Sequence, residues 1–128
     1  MNIDRIQFLT VPVSDQAKAR DFYVGKLGFD LLVEVSGPHG PFVMVGPKGV
    51  ETGIVLADRP VGGLDHRARV HLQLTTTDVD ADIAGLRTQG VEVEDAEEMP
   101  WGRATSLKDP DGNAIGLLEA SGYGNWSR

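Results

Sequence analysis

Three histidines, at positions 39, 66 and 71, are the only imidazoles in the chain, and there is no cysteine. Thiolate chemistry is thereby excluded, whether as nucleophile, metal ligand or disulfide. Imidazole titrates near neutrality and serves as a general base or a metal ligand. His39 and His66 fall in the Gly/Pro-rich stretches "SGPHG" and "VGGLDH", where an exposed histidine is ordinary. His71 is different, because it sits inside the alternating run "RVHLQLTT". In a strand, His71, Gln73 and Thr75 share one face while Val70, Leu72 and Leu74 share the other. That run therefore carries a polar stripe suited to ligand contact. Arg103 could take up an anionic group with its planar fork. Trp101 beside it offers an apolar wall. The acidic run "EVEDAEE" over residues 92–98 reads as a solvated edge. No nucleophile stands next to a positioned base, and neither a phosphate-cradling glycine loop nor a dinucleotide fingerprint occurs.

Strands and helices must hold these groups in place. "IDRIQFLTVPV" over 3–13 is rich in β-branched residues and is expected to be a strand. A helix follows over 14–28, capped by Ser14 or Asp15, with Ala19, Phe22, Tyr23 and Leu27 inward and Gly28 closing it. "FDLLVEV", "PFVMVG" and "TGIVLA" are three short strands between Gly/Pro turns. The second half repeats this order. A strand at 69–76 precedes a helix capped by Asp78, with Val79, Ile83 and Leu86 inward and Gly90 as its stop. "VEVEDAE", "GRATSLKD" and "NAIGLLEA" are expected to be three further strands. "DPDG" before the last of them has turn chemistry: proline presets φ, aspartate bonds locally and glycine takes positive φ. Laying "PKGVETGIVL" over "PDGNAIGLL" puts Gly53 opposite Gly116. Glycine inside a strand marks a bulge or a close approach, so Gly116 calls for an explanation. A repeat of this size means that neither half buries both faces of its own sheet.

In "VPVSDQAKARDFYVGKLGF" (11–29), "HLQLTTTDVDADIAGLRTQGVEV" (71–93) and "WGRATSLKDPDGNAIGLLE" (101–119), the chain resembles the vicinal oxygen chelate superfamily. That superfamily contains glyoxalase I, extradiol dioxygenases, fosfomycin-resistance enzymes and bleomycin-resistance proteins. The resemblance implies an α+β fold of two tandem βαβββ modules forming an open, cup-shaped mixed sheet with a shared cleft. One domain would then span 1–128, with modules at about 3–57 and 69–120, a linker at 58–68 and a tail at 121–128. Tyr123 and Trp126 in that tail could fold over a partner or the cleft.

Metal enzymes of this superfamily hold a divalent ion with a donor on the first strand of each module and a carboxylate on the last strand of each. Carried over, those positions are Phe8 and His71, then Gly116 and either Gly53 or Val55. Only His71 is a donor. One imidazole does not hold a catalytic ion, and ligands displaced to His39, His66 or Glu51 are the alternative. The resemblance therefore implies no resident metal and no cofactor. It places Phe8, Thr10, Phe42, Met44, Val55, His71, Gln73, Trp101, Arg103 and Gly116 around the cleft, while Leu9, Val11 and Val13 pack toward the helix.

Three functions follow. The first is a glyoxalase/bleomycin-resistance-like protein that binds a small molecule without turnover. The second is a metal-dependent glyoxalase-like lyase, isomerase or dioxygenase with displaced ligands. The third is a metal-free enzyme with His71 as general base. With 128 residues, 41% hydrophobic content and a net charge of −7, the chain suits a single acidic globular domain. That charge argues against nucleic acid and anionic membranes as partners. No apolar leader or spanning stretch is evident, so the cytoplasm is expected. Family members usually dimerise, and an open sheet edge needs cover, so a homodimer is expected.

Overall fold

The computed structural model describes residues 1–38, 40–60 and 67–121. It divides into two compact units, Met1–Val70 and His71–Arg128. The first contains β1 (Phe8–Pro12), α1 (Gln16–Arg20), β2 (Asp30–Gly37), β3 (Gly40–Gly46) and β4 (Gly53–Ala57). The second contains β5 (His71–Thr75), α2 (Val79–Thr88), β6 (Glu97–Met99), β7 (Gly102–Lys108) and β8 (Ala114–Ala120). Both sheets have four strands in the same order, β1-β4-β3-β2 and β5-β8-β7-β6. In each, the first and last strands pair in parallel and the remaining pairs are antiparallel. The internal repeat is thus a repeat of topology, βαβββ twice.

Each helix begins at the aspartate that its sequence offers. Asp15 accepts from the Lys18 N–H at 3.1 Å and Asp78 from the Ala81 N–H at 3.0 Å, which satisfies a donor that has no helical partner. Past Arg20 the first helix widens into a π-helical turn over Asp21–Lys26, with the Leu27 N–H donating to the Phe22 carbonyl at 2.9 Å. The wider turn directs the sequence neighbours Phe22 and Tyr23 into one core, where their rings meet edge-on at 5.3 Å and Tyr23 lies 5.9 Å from Phe29. The core of the first unit joins these rings and Ala19 to Val11, Val43, Val45, Ile54 and Leu56. In the second unit Val79, Ile83 and Leu86 join Leu72, Leu107, Ile115 and Leu117.

Two expected strands shift. β1 starts at Phe8 rather than at Ile3, because β4 offers only five residues to pair with it. Leu9, expected under the helix, is 53% exposed, whereas Val11 and Val13 are buried. The strand expected over 91–97 is replaced by a single bridge at Val93 and by β6 at Glu97–Met99. Side chains take over its backbone groups. Arg87 donates to the Val93 carbonyl at 2.7 Å and Thr105 Oγ1 donates to the Glu94 carbonyl at 2.6 Å.

Candidate ligand-binding faces

Strand register sorts the residues of each sheet onto two faces. In the first unit Phe8 pairs with Gly53, Thr10 with Val55, Met44 with Val55, Val33 with Met44 and Val35 with Phe42. These residues share the face opposite α1, and they make it apolar. The Phe8 and Phe42 rings meet edge-on at 5.8 Å. The Met44 side chain lies across Gly53, where a Cβ would stand 2.6 Å from Met44 Cγ. A cavity of about 290 Å³ at the β2–β3 hairpin end of this sheet is lined by Phe42, Val55, Ala57, Pro41, Gln16 and Arg59, among others. That volume is at the low end for small-molecule pockets, and the lining is of the usual kind, mostly apolar with a few polar groups. Gln16 Nε2 donates to the carbonyls of Pro41 and Leu56 at 3.0 and 2.9 Å and so ties the start of α1 to two strands. The Arg59 guanidinium lies over Gly40 and pairs with Asp58 at 3.2 Å.

The corresponding face of the second unit is polar. His71 pairs with Ala114 and Gln73 with Gly116 in the parallel ladder, while Ser106 pairs with Gly116 and Lys108 with Ala114 across the antiparallel one. His71, Gln73, Thr75, Ser106 and Lys108 therefore project from one face, and all five are exposed. Sequence reasoning found the first three and missed Ser106 and Lys108. The same alternation in "GRATSLKD" carried the signal for both.

That alternation also places Arg103. It shares the opposite face with Thr105 and Leu107, toward α2, and is removed from His71 and Gln73. Its guanidinium donates to both Asp80 oxygens, at 3.0 and 2.9 Å, and to Glu98 at 3.0 Å. The Asp80 and Glu98 hydrogen bonds push its pKa further above the ordinary arginine value. Trp101, just before β7, is 40% exposed. The turn "DPDGN" is structural. The Asp109 carboxylate accepts from the backbone of Asp111 and Asn113 and from Asn113 Nδ2, at 2.8–2.9 Å, with Gly112 at φ +88°.

Register also decides which residues stand at the positions that the resemblance to the vicinal oxygen chelate metal enzymes assigns to ion ligands. Phe8 corresponds to His71 and Thr10 to Gln73, so the partner of Thr10, Val55, corresponds to Gly116. The overlay of Gly53 on Gly116 is corrected by two residues. Three residues separate the turn glycine Gly49 from β4, whereas one separates Gly112 from β8. Those positions hold Phe8 and Val55 in the first unit and His71 and Gly116 in the second, and of these only His71 carries a donor that suits a divalent ion. Among the described residues no three His, Cys, Asp or Glu side chains come together as a metal site. His39 and His66 lie outside the described residues, as do Tyr123 and Trp126.

Comparison with known proteins accords with the fold. Residues 4–117 match the model of the Glyoxalase/Bleomycin resistance protein/Dioxygenase superfamily. TnmS3, an antibiotic binding protein from Streptomyces sp. CB03234, is 47% identical over 94% of this chain and 99% of its own, with a TM-score of 0.82. A glyoxalase/bleomycin resistance protein from the same organism is 46% identical over 89% of this chain and 99% of its own, with a TM-score of 0.77. The uncharacterized protein YetH of Bacillus subtilis (strain 168) is 31% identical over 91% of this chain and 99% of its own length. The chain belongs to the Glyoxalase/Bleomycin resistance protein/Dioxygenase superfamily.

Proposed function

We propose that this member of the superfamily is a small-molecule-binding protein that takes up an antibiotic-like compound and holds it without a metal ion. The observation that carries this reading is the 47% identity, over nearly the full chain, to a protein described as antibiotic-binding. The apolar face of Phe8, Phe42, Met44 and Val55 supports it, because such a face removes a ligand's carbon skeleton from water. Thr10 shares that face, and His71, Gln73, Gly116 and the half-exposed Trp101 of the second unit are proposed, separately, as ligand contacts there. Arg103 is left out, since Asp80 and Glu98 hold it on the helix-bearing face. Metal independence rests on the donor count at Phe8, Val55, His71 and Gly116. Catalysis by His71 is the weaker reading, because no side chain among the described residues orients its ring as a general base requires.

The proposal includes a cytoplasmic homodimer. No helix among the described residues is long and apolar enough to cross a membrane. The edge strands β1 and β2 expose Leu9, Leu31 and Val35, which a second copy would cover. The test of the binding function is a thermal-shift screen of antibiotics in chelator-containing buffer. The expected result is a raised Tm with at least one compound. No shift with any compound, together with turnover on adding a divalent metal, would contradict it.

A further inference from the structure

We propose that the stripe His71–Gln73–Ser106–Lys108 is a hydrogen-bonding subsite for a carbonyl or anionic oxygen of the bound compound, with Gln73 as its specificity determinant and Gly116 as the residue that positions Gln73. The inference rests on the small-molecule reading above and names the chemical group that this face of the second unit accepts.

Three observations carry it. The first is the use of Gly116. This glycine is buried, and its backbone is in a conformation open to any residue. Glycine in a strand interior is less stable than alanine by roughly 0.5–1 kcal/mol, so nothing in the strand itself asks for it. A Cβ at Gly116, however, would run into the Gln73 carboxamide, standing 3.0 Å from its Cδ and 3.1 Å from its Nε2. The missing side chain leaves room for that carboxamide against the strand, with its Oε1 nearest to Gly116. An exposed glutamine needs no such room merely to be hydrated, since it can extend into water.

The second observation is the pairing pattern. Polar side chains on the helix-bearing face of this sheet are bonded within the protein: Arg103 to Asp80 and Glu98, Thr105 to the Glu94 carbonyl, and Glu119 to the Val79 N–H. Among the described residues, His71, Gln73, Thr75, Ser106 and Lys108 make no side-chain hydrogen bond or ion pair within the protein. The fold does not use them.

The third observation is their chemistry. This face offers the Lys108 ammonium, the Gln73 amide N–H groups, the His71 ring and two hydroxyls, and its one carboxylate, Glu97, stands on the edge strand β6 opposite Ala104. Donors predominate, so the complementary group is an acceptor. In the first unit the equivalents of Gln73 and Ser106 are Thr10 and Met44, and there the covering side chain is a thioether over Gly53. One glycine thus carries an apolar cover and the other a polar one.

The experiment uses two probes of matched shape, 2-acetonaphthone and 2-isopropenylnaphthalene, which differ by a carbonyl oxygen in place of a methylene. Each is titrated into the full-length ¹⁵N-labelled chain, with the Gln73 side-chain amide assigned by its loss in Gln73→Leu. The proposal expects 2-acetonaphthone to shift that amide and to bind about fivefold to tenfold more tightly than the hydrocarbon, the effect of one net hydrogen bond. Gln73→Leu is expected to abolish the preference. Gly116→Ala is expected to remain folded by its dispersed amide spectrum and to reduce the preference by displacing the carboxamide. Equal binding of the two probes, with the Gln73 amide unmoved, would overturn the subsite and leave small-molecule binding standing. Binding of neither would count against the small-molecule reading and would take the subsite with it.

Discussion

Gly116 and Gly102 look alike in the sequence and differ in what a side chain would meet. At Gly116 the obstacle is the far end of a flexible glutamine, which can swing away. Gly116→Ala is therefore expected to change stability by less than about 1 kcal/mol in urea unfolding. Gly102 has φ +146°, and its Cβ would press on the Glu119 carbonyl and stand 3.0 Å from the Ala120 Cα. Backbone cannot swing away, so Gly102→Ala is expected to destabilise by about 1–3 kcal/mol. Asp109 makes a third contrast. Its carboxylate serves three donors of a turn in which Asn113 is fully buried, so Asp109→Ala leaves buried N–H groups unpaired. A loss of about 2–4 kcal/mol is expected in the same unfolding measurement. At this scale the sequence announced the turn through "DPDG", and it pointed to Gly116 as needing a reason. The reason itself was hidden, because it depends on the register that sets Gln73 beside Gly116.

The elements were legible where local chemistry decides them. Asp15 and Asp78 cap as their positions suggest, and Ala19, Phe22, Tyr23, Val79, Ile83 and Leu86 face inward at helical spacing. Removal of the Asp78 cap, as Asp78→Ala, is expected to cost about 1 kcal/mol, read as a lower urea midpoint. The ends of the strands were not legible, because a partner strand sets them. β1 is cut to the length of β4, and β6 moves along the chain because Arg87 and Thr105 hold the backbone at Val93 and Glu94. The π-helical turn at Asp21–Lys26 was hidden as well, since adjacent aromatics at 22 and 23 fit an ordinary helix pattern. Arg103 tests the link between α2 and β7. Its pairing with Asp80 and Glu98 is exposed and therefore screened by salt. Arg103→Gln is expected to lower Tm at low ionic strength by more than it does in molar salt. A loss of equal size in both buffers would show that packing, rather than charge, fixes this residue.

Across the whole molecule, the two units share a topology and differ in what they put on equivalent faces. Phe8, Phe42, Met44 and Val55 make one face apolar, and His71, Gln73, Ser106 and Lys108 make the other polar. The twofold repeat could be found in the sequence because helix caps and turn glycines recur. The two-residue offset between Gly53 and Gly116 could not, because it arises in the turn lengths before β4 and β8. The proposed homodimer predicts twice the chain mass by light scattering at micromolar concentration, and a monomer mass there would remove it. The proposed function makes a sharper demand, since it holds that no ion takes part in holding the ligand. The most direct test is a calorimetric titration of chelator-treated protein with the antibiotic that most raises its Tm, repeated with zinc, nickel, manganese and ferrous iron added in turn. The account predicts the same Kd in every titration. Binding that appears only once a metal is added would contradict it.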